Sequence, residues 1–123
     1  MMRLGTDLIE INRIQHAIER SERFLKRVYT SQEIAYCESK HKGMYQSYAG
    51  IYAAKEAFLK ALGTGLRYGS WQDIEVGHTD LGAPKLYITG PFREILDSQG
   101  LSKIIISISH CKDYAMSTVI LKG

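Results

Sequence analysis

The stretch from Met44 to Leu62 constrains the fold more than any other part of the sequence. It is rich in alanine, leucine and tyrosine, and apolar residues fall on almost every side of the helix it would form. A helix apolar over most of its circumference is buried rather than laid on a surface, so the remaining chain must wrap around it. Gly63 is placed to end it, because glycine accepts the left-handed conformation that closes helices. Glu56 and Lys60 nevertheless sit inside Ala53-Ala54-Lys55-Glu56-Ala57-Phe58-Leu59-Lys60-Ala61. Spaced i to i+4, they could form an exposed pair worth about 0.2–0.5 kcal/mol. On so apolar a helix, however, charges must be paired or bound to something, since an unpaired buried charge is costly.

The flanking segments read in order. Arg3 to Ile11 alternates loosely as a strand, and a helix follows from about Asn12 with Ile14, Ala17, Ile18 and Phe24 as apolar contacts. Thr30-Ser31-Gln32-Glu33 matches a capping box opening a helix through Ile34, Ala35 and Cys37. Lys40 to Gly43 is a polar break. Trp71 to Val76 and Lys85 to Thr89 read as strands about the turn Asp80-Leu81-Gly82, and Gly90-Pro91 introduces a short helix. Ile104 to Ser109 and Tyr114 to Leu121 are β-rich runs separated by Lys112-Asp113, as in a hairpin. Helices in the first half and strands in the second predict an α+β fold: a helical half packed on an antiparallel sheet. With 123 residues, the span 1–123 is expected to form one domain, because halves would bury too little core.

Composition narrows the function classes. Hydrophobic residues at 45% and charged residues at 24% exclude a disordered chain. The net charge of +3 does not argue for nucleic acid, and the tyrosines fall in apolar patterns rather than among basic residues, so no nucleic-acid partner is expected. No apolar run is long enough for a bilayer and no signal-peptide core follows Met1, so neither membrane nor export is expected. Cys37 and Cys111 have no metal-ligand spacing. A cytoplasmic setting with reduced thiols is the expectation.

Four groups of residues could carry chemistry. Asp7 lies in an otherwise apolar strand, Gly5-Thr6-Asp7-Leu8-Ile9, either facing solvent or capping the next helix, or else bound to a ligand. Asp7 and Glu56, from separate elements, together with phosphate oxygens and water would suit Mg²⁺, which takes few protein ligands. Gly63-Thr64-Gly65 is a helix end whose small residues would let backbone amides approach a phosphate; it lacks the order of a P-loop. Ser107-Ile108-Ser109-His110-Cys111 alternates along a strand, so neighbouring side chains point apart and a nucleophile pair is disfavoured. Arg13, Ala17, Arg20, Phe24 and Arg27 fall on adjacent helical positions, with Arg23 beside Arg20. That face is either solvated or a docking surface for an acidic helix, with Phe24 as an exposed anchor.

Taken together, these blocks resemble the holo-acyl-carrier-protein synthase family of phosphopantetheinyl transferases. Gly5-Thr6-Asp7-Leu8-Ile9-Glu10-Ile11-Asn12-Arg13-Ile14 is similar to its first signature, and Tyr52 to Ala61 followed by Leu62-Gly63-Thr64-Gly65 to its second. Trp71-Gln72-Asp73-Ile74-Glu75-Val76, Gly82-Ala83-Pro84-Lys85 and Ser107-Ile108-Ser109-His110 complete the order. The resemblance implies the phosphopantetheinyl-transferase fold and a homotrimer with active sites between subunits. It implies transfer of 4′-phosphopantetheine from coenzyme A to a serine of acyl carrier protein, in fatty acid biosynthesis. Asp7 and Glu56 would hold Mg²⁺ and, with Lys60, form the catalytic set. Lys60, Gly63, Thr64 and Gly65 would border the pyrophosphate, and Pro84, Ser109 and His110 the nucleotide. Arg13, Arg20, Arg23 and Phe24 would face the acidic helix of the carrier protein. The sequence departs from the family where Gly50 is followed by Ile51 instead of Arg or Lys, which removes a phosphate contact. Lys40 or Lys42 would then compensate, or coenzyme A would bind more weakly. Cys111 stands where Thr or Ser is common, and Ala17 where relatives carry a larger apolar side chain. A binding module without activity, and a degenerate transferase, are the rival readings.

Overall fold

The long apolar helix is the axis of the molecule. In the computed structural model, which describes residues 1–123, it spans Met44–Leu62 (α4). Ala49, Ile51, Ala53, Ala54, Ala57, Phe58, Leu59 and Leu62 on it are buried. Gly63 ends it at φ 84°, its amide donating to the Leu59 carbonyl at 2.9 Å. One flank is covered by an antiparallel sheet of β1 (Met2–Glu10), β5 (Tyr114–Lys122) and β4 (Lys103–His110), in the order β1-β5-β4. The other flanks are covered by α1 (Ile11–Arg20), α2 (Glu22–Val28) and α3 (Ser31–Glu38), and by the separate hairpin of β2 (Ile74–His78) and β3 (Pro84–Ile88). Helix α5 (Gly90–Ser98) closes that end, with Phe92 against Phe58. The α+β architecture, the antiparallel pairing of the last two strands and the capping box at Thr30 and Glu33 agree with the sequence reading.

Two boundaries differ from it. The helix expected to run on from Asn12 breaks at Ser21, which is extended at φ −150°. The Ser21 hydroxyl accepts the Phe24 amide at 3.1 Å and starts a new helix, so the arginines lie on two short helices. The expected strand at Trp71 opens instead as a 3₁₀ turn, Trp71–Asp73, and β2 begins only at Ile74. There the Asp73 carboxylate accepts the Ser70 amide at 2.9 Å, a local bond that competes with sheet pairing. Both cysteines are free, Cys37 buried and its thiol pushed up to about 12 chiefly by burial. No helix is long and apolar enough to cross a membrane.

A buried ion pair within the helical half also reaches the start of the strand half. Lys55 on α4 and Glu33 on α3 are 0% and 1% exposed, with the ammonium 2.8 Å from the carboxylate. The same ammonium donates to the carbonyls of Val28 at 2.6 Å and Trp71 at 3.2 Å. Glu33 accepts from the amides of Thr30 and Val76 at 2.9 and 2.7 Å. Burial pushes the carboxyl up and the ammonium down, and their mutual attraction opposes both shifts. Removing one member leaves the other charged and unpaired, at a cost of about 3–5 kcal/mol. Lys55→Met is therefore expected to lose that much stability in urea unfolding, and the double variant Glu33→Met/Lys55→Met to recover a large part of it. A single variant within about 1 kcal/mol of the parent would show that the pair is not structural glue.

Candidate active site

Strand alternation carries β1 to the site. Its odd-numbered residues face α4: the Arg3 guanidinium donates to the Leu62 carbonyl at 2.9 Å, adding positive charge at the helix C-terminus. Gly5 touches the helix backbone so closely that a Cβ there would collide with the Ala57 carbonyl and the Ala61 amide nitrogen. Two residues on, Asp7 reaches Lys60, with Oδ1 accepting from the ammonium at 3.0 Å. Lys60 thus pairs across to β1 instead of along its own helix to Glu56.

The result is an acidic corner with too little positive charge. Oδ2 of Asp7 is buried and has no hydrogen-bond partner. The Glu56 carboxyl is pushed up first by burial and then by the negative charge of Asp7, with Lys60 and the Tyr52 hydroxyl opposing. Two carboxylates share one ammonium, and no third metal-ligating side chain joins them. An orphaned carboxylate oxygen beside a second carboxylate is a donor set for a hard divalent cation that completes its shell with phosphate oxygens and water. Gly63-Thr64-Gly65 follows directly along the chain. Gly65 at φ 60° has no neighbour within 4 Å of a would-be Cβ, leaving its backbone open to approach.

The remaining expected residues lie elsewhere. Pro84 and His110 line a cleft of about 210 Å³ with Ile51, Tyr36 and His78, where β4 meets α4 and the β2–β3 hairpin. Asp7 belongs to β1, at the opposite edge of the three-stranded sheet. Ser109 shares neither place; it is exposed on the outer face of the sheet, opposite Met116. Arg13, Arg20 and Arg23 are exposed and take part in no ion pair of the chain. The expected exposure of Phe24 needs correction. It is half-buried against Tyr29 and Tyr52, ring centroids 6.5 and 6.4 Å away, because the break at Ser21 turns α2 inward. Tyr52 was not singled out from the sequence. It stacks on Trp71 at 5.3 Å and sets its hydroxyl beside Glu56, one helical turn away, a spacing that could have revealed it.

Comparison with known proteins identifies the family of the chain. Residues 3–119 match the 4′-phosphopantetheinyl transferase superfamily. The holo-[acyl-carrier-protein] synthase of Ruminiclostridium cellulolyticum is 45% identical over 122 residues, covering 98% of this chain and 91% of that protein. The crystal structure of the holo-[acyl-carrier-protein] synthase of Neisseria meningitidis superposes with a TM-score of 0.88 at 31% identity, covering 98% of each chain. That of Helicobacter pylori, in complex with coenzyme A, gives 0.84 at 30% identity, covering 97% of this chain and 99% of the other. The chain belongs to the 4′-phosphopantetheinyl transferase superfamily.

Because Asp7 is held against α4 through the contact at Gly5, Gly5→Ala is expected to destabilise the chain by at least about 1–3 kcal/mol through overpacking. A urea midpoint equal to that of the parent would mean that β1 is free to move off the helix.

Proposed function

We propose that this chain is a holo-acyl-carrier-protein synthase, one domain over its whole length, that moves 4′-phosphopantetheine from coenzyme A to a serine of apo-acyl carrier protein. The observation that carries the reading is the pairing of Asp7 and Glu56 beside Lys60, with one carboxylate oxygen unpartnered, in a fold shared with coenzyme A-bound synthases. Asp7 and Glu56 would hold Mg²⁺ together with the pyrophosphate of coenzyme A. Bound there, such an ion supplies charge neutralisation and makes a nearby water or hydroxyl more acidic.

The chain's own residues do the rest. The serine oxygen forms a bond to the β-phosphorus, and the bond from that phosphorus to the bridging oxygen breaks, releasing adenosine 3′,5′-bisphosphate. Positioning and charge neutralisation dominate such transfers. Lys60 offsets the charge that grows on the leaving group, and the open backbone at Gly63-Thr64-Gly65 borders the pyrophosphate. A carboxylate at this corner acting through water is the preferred acceptor of the serine proton, since Asp7 keeps one carboxylate oxygen without a hydrogen-bond partner there. Arg13, Arg20 and Arg23, exposed and without partners in the chain, receive the acidic helix of the carrier protein, steered by charge. Phe24 supports that surface from beneath and keeps part of its ring at the contact.

A homotrimer fits two observations. The groups expected to meet coenzyme A lie at opposite edges of one protomer's sheet, so copies placed side by side would bring Asp7, Glu56 and Lys60 of one to Pro84 and His110 of the next. The outer face of the sheet also leaves Leu4, Leu8, Ile105 and Met116 more than 40% exposed, an apolar surface that a second and third copy would cover. Free thiols at Cys37 and Cys111 accord with a cytoplasmic enzyme.

Apo-carrier protein incubated with the chain, coenzyme A and Mg²⁺ is expected to gain the mass of one phosphopantetheine arm; no gain with any acyl carrier defeats the reading. Glu56→Gln is expected to abolish turnover while the circular dichroism spectrum and unfolding midpoint are retained. Arg20→Glu is expected to raise the carrier-protein KM about tenfold or more and leave that for coenzyme A unchanged; equal effects on both would remove Arg20 from the docking surface. Light scattering is expected to give the mass of three chains, and Leu8→Lys/Met116→Lys to give a smaller one.

A further inference from the structure

The cleft at the β4 edge has a chemistry of its own. Tyr36 and His78 stack with centroids 3.9 Å apart and an interplanar angle of 12°, and Pro84 and His110 line the same cleft. Flat rings beside a proline, with the Gln46 amide and the Ser47 hydroxyl on the helical wall, form a seat for a nucleobase and its ribose. No lysine or arginine lines the cleft. Ile51, which also lines it, is 2% exposed and fully apolar. Burial, and then the positive charge of Lys40, lower the pKa of His78 below the usual imidazole value. Lys40 itself is exposed and sits over the Tyr36 ring at 4.7 Å, outside the lining.

A phosphate monoester is selected by an ammonium or guanidinium fixed where its oxygens fall. The part of this cleft that one protomer builds offers stacking and polar groups but no lysine or arginine fixed in its wall. We propose that the 3′-phosphate of coenzyme A is not a specificity determinant for this chain, and that 3′-dephospho-coenzyme A serves as an alternative phosphopantetheine donor. The inference rests on the transferase reading above and on the placement of the nucleotide beside Pro84 and His110. The bonds that change are the same for both donors. The serine oxygen joins the β-phosphorus, and the bridging oxygen leaves with the bonding electron pair as part of adenosine 5′-monophosphate. The serine proton passes through water to the same carboxylate corner, and the holo-carrier product is identical.

The test compares kcat/KM for the two donors with the full chain, Mg²⁺ and apo-carrier protein, scoring holo product by mass. A solvent-exposed ammonium such as Lys40 can favour the phosphorylated donor by no more than about fivefold, so a ratio below that is expected. A ratio above about thirtyfold overturns the proposal, and its collapse in Lys40→Gln would show which cation had been holding the phosphate. Placing a charge in the wall should create the missing preference: Ile51→Arg is expected to raise the ratio about tenfold or more. Gln46→Lys, at a half-buried position of the same wall, gives the same readout should the buried arginine not be accommodated. No shift in the ratio for a folded variant counts against the placement of the nucleotide and against the proposal. Turnover of coenzyme A alone defeats this inference and leaves the transferase standing; turnover of neither donor defeats both.

Discussion

Everything in the helical half is referred to one point, the Lys55 ammonium. It is shut away from water, yet it bonds the end of α2, the carboxylate of α3 and the turn before β2, and the same carboxylate takes the first turn of α3 and the amide of Val76. A hydrophobic contact could hold these pieces together without fixing how far each slides along α4. Directional bonds to a single buried charge do fix it, and the cost of desolvation makes any partial arrangement unfavourable. The register of α4 therefore decides where Glu56, the very next residue, is presented.

The other half of the site comes from a strand. On β1 the period of two sends Arg3, Gly5 and Asp7 to the helix, and the missing side chain at Gly5 brings strand and helix close enough for a short carboxylate to meet Lys60. A larger separation would leave Asp7 pointing into the gap. Close approach and buried register are thus two demands on one geometry: the first sets how near the carboxylates come, the second which residues face each other. The electrostatic tension they create, two acids with one ammonium, is what makes the corner suited to a phosphorylated ligand and its counter-ion.

Much of this was legible in the sequence, for local reasons. The periodicity of α4, its glycine stop, the capping box at Thr30 and the last hairpin each depend on residues a few positions apart, and each matches the structure. Asp7 and Glu56 could be named because a charge in an apolar element has to be explained. The failures are of two kinds. At Ser21 and Ser70 to Asp73, short polar side chains formed local backbone bonds that overrode the apolar pattern. The partner of Lys55, the stacking of Tyr36 on His78 and the separation of Asp7 from His110 at opposite sheet edges are long-range facts that no spacing encodes. Glu33 illustrates the limit: its capping role was visible, its burial against Lys55 was not.

The sheet also has a consequence for how the chain reaches this state. Its middle strand, β5, pairs β1 across more than a hundred residues, Thr6 lying opposite Thr118. Such a ladder contains almost no short loops, and its closure entropy falls due late. During synthesis α1 to α4 and β1 must wait, with the apolar flank of α4 uncovered, until Tyr114 to Lys122 has left the ribosome. The interval before that last strand arrives is when the chain is most open to self-association, and protection in the cell matters most there.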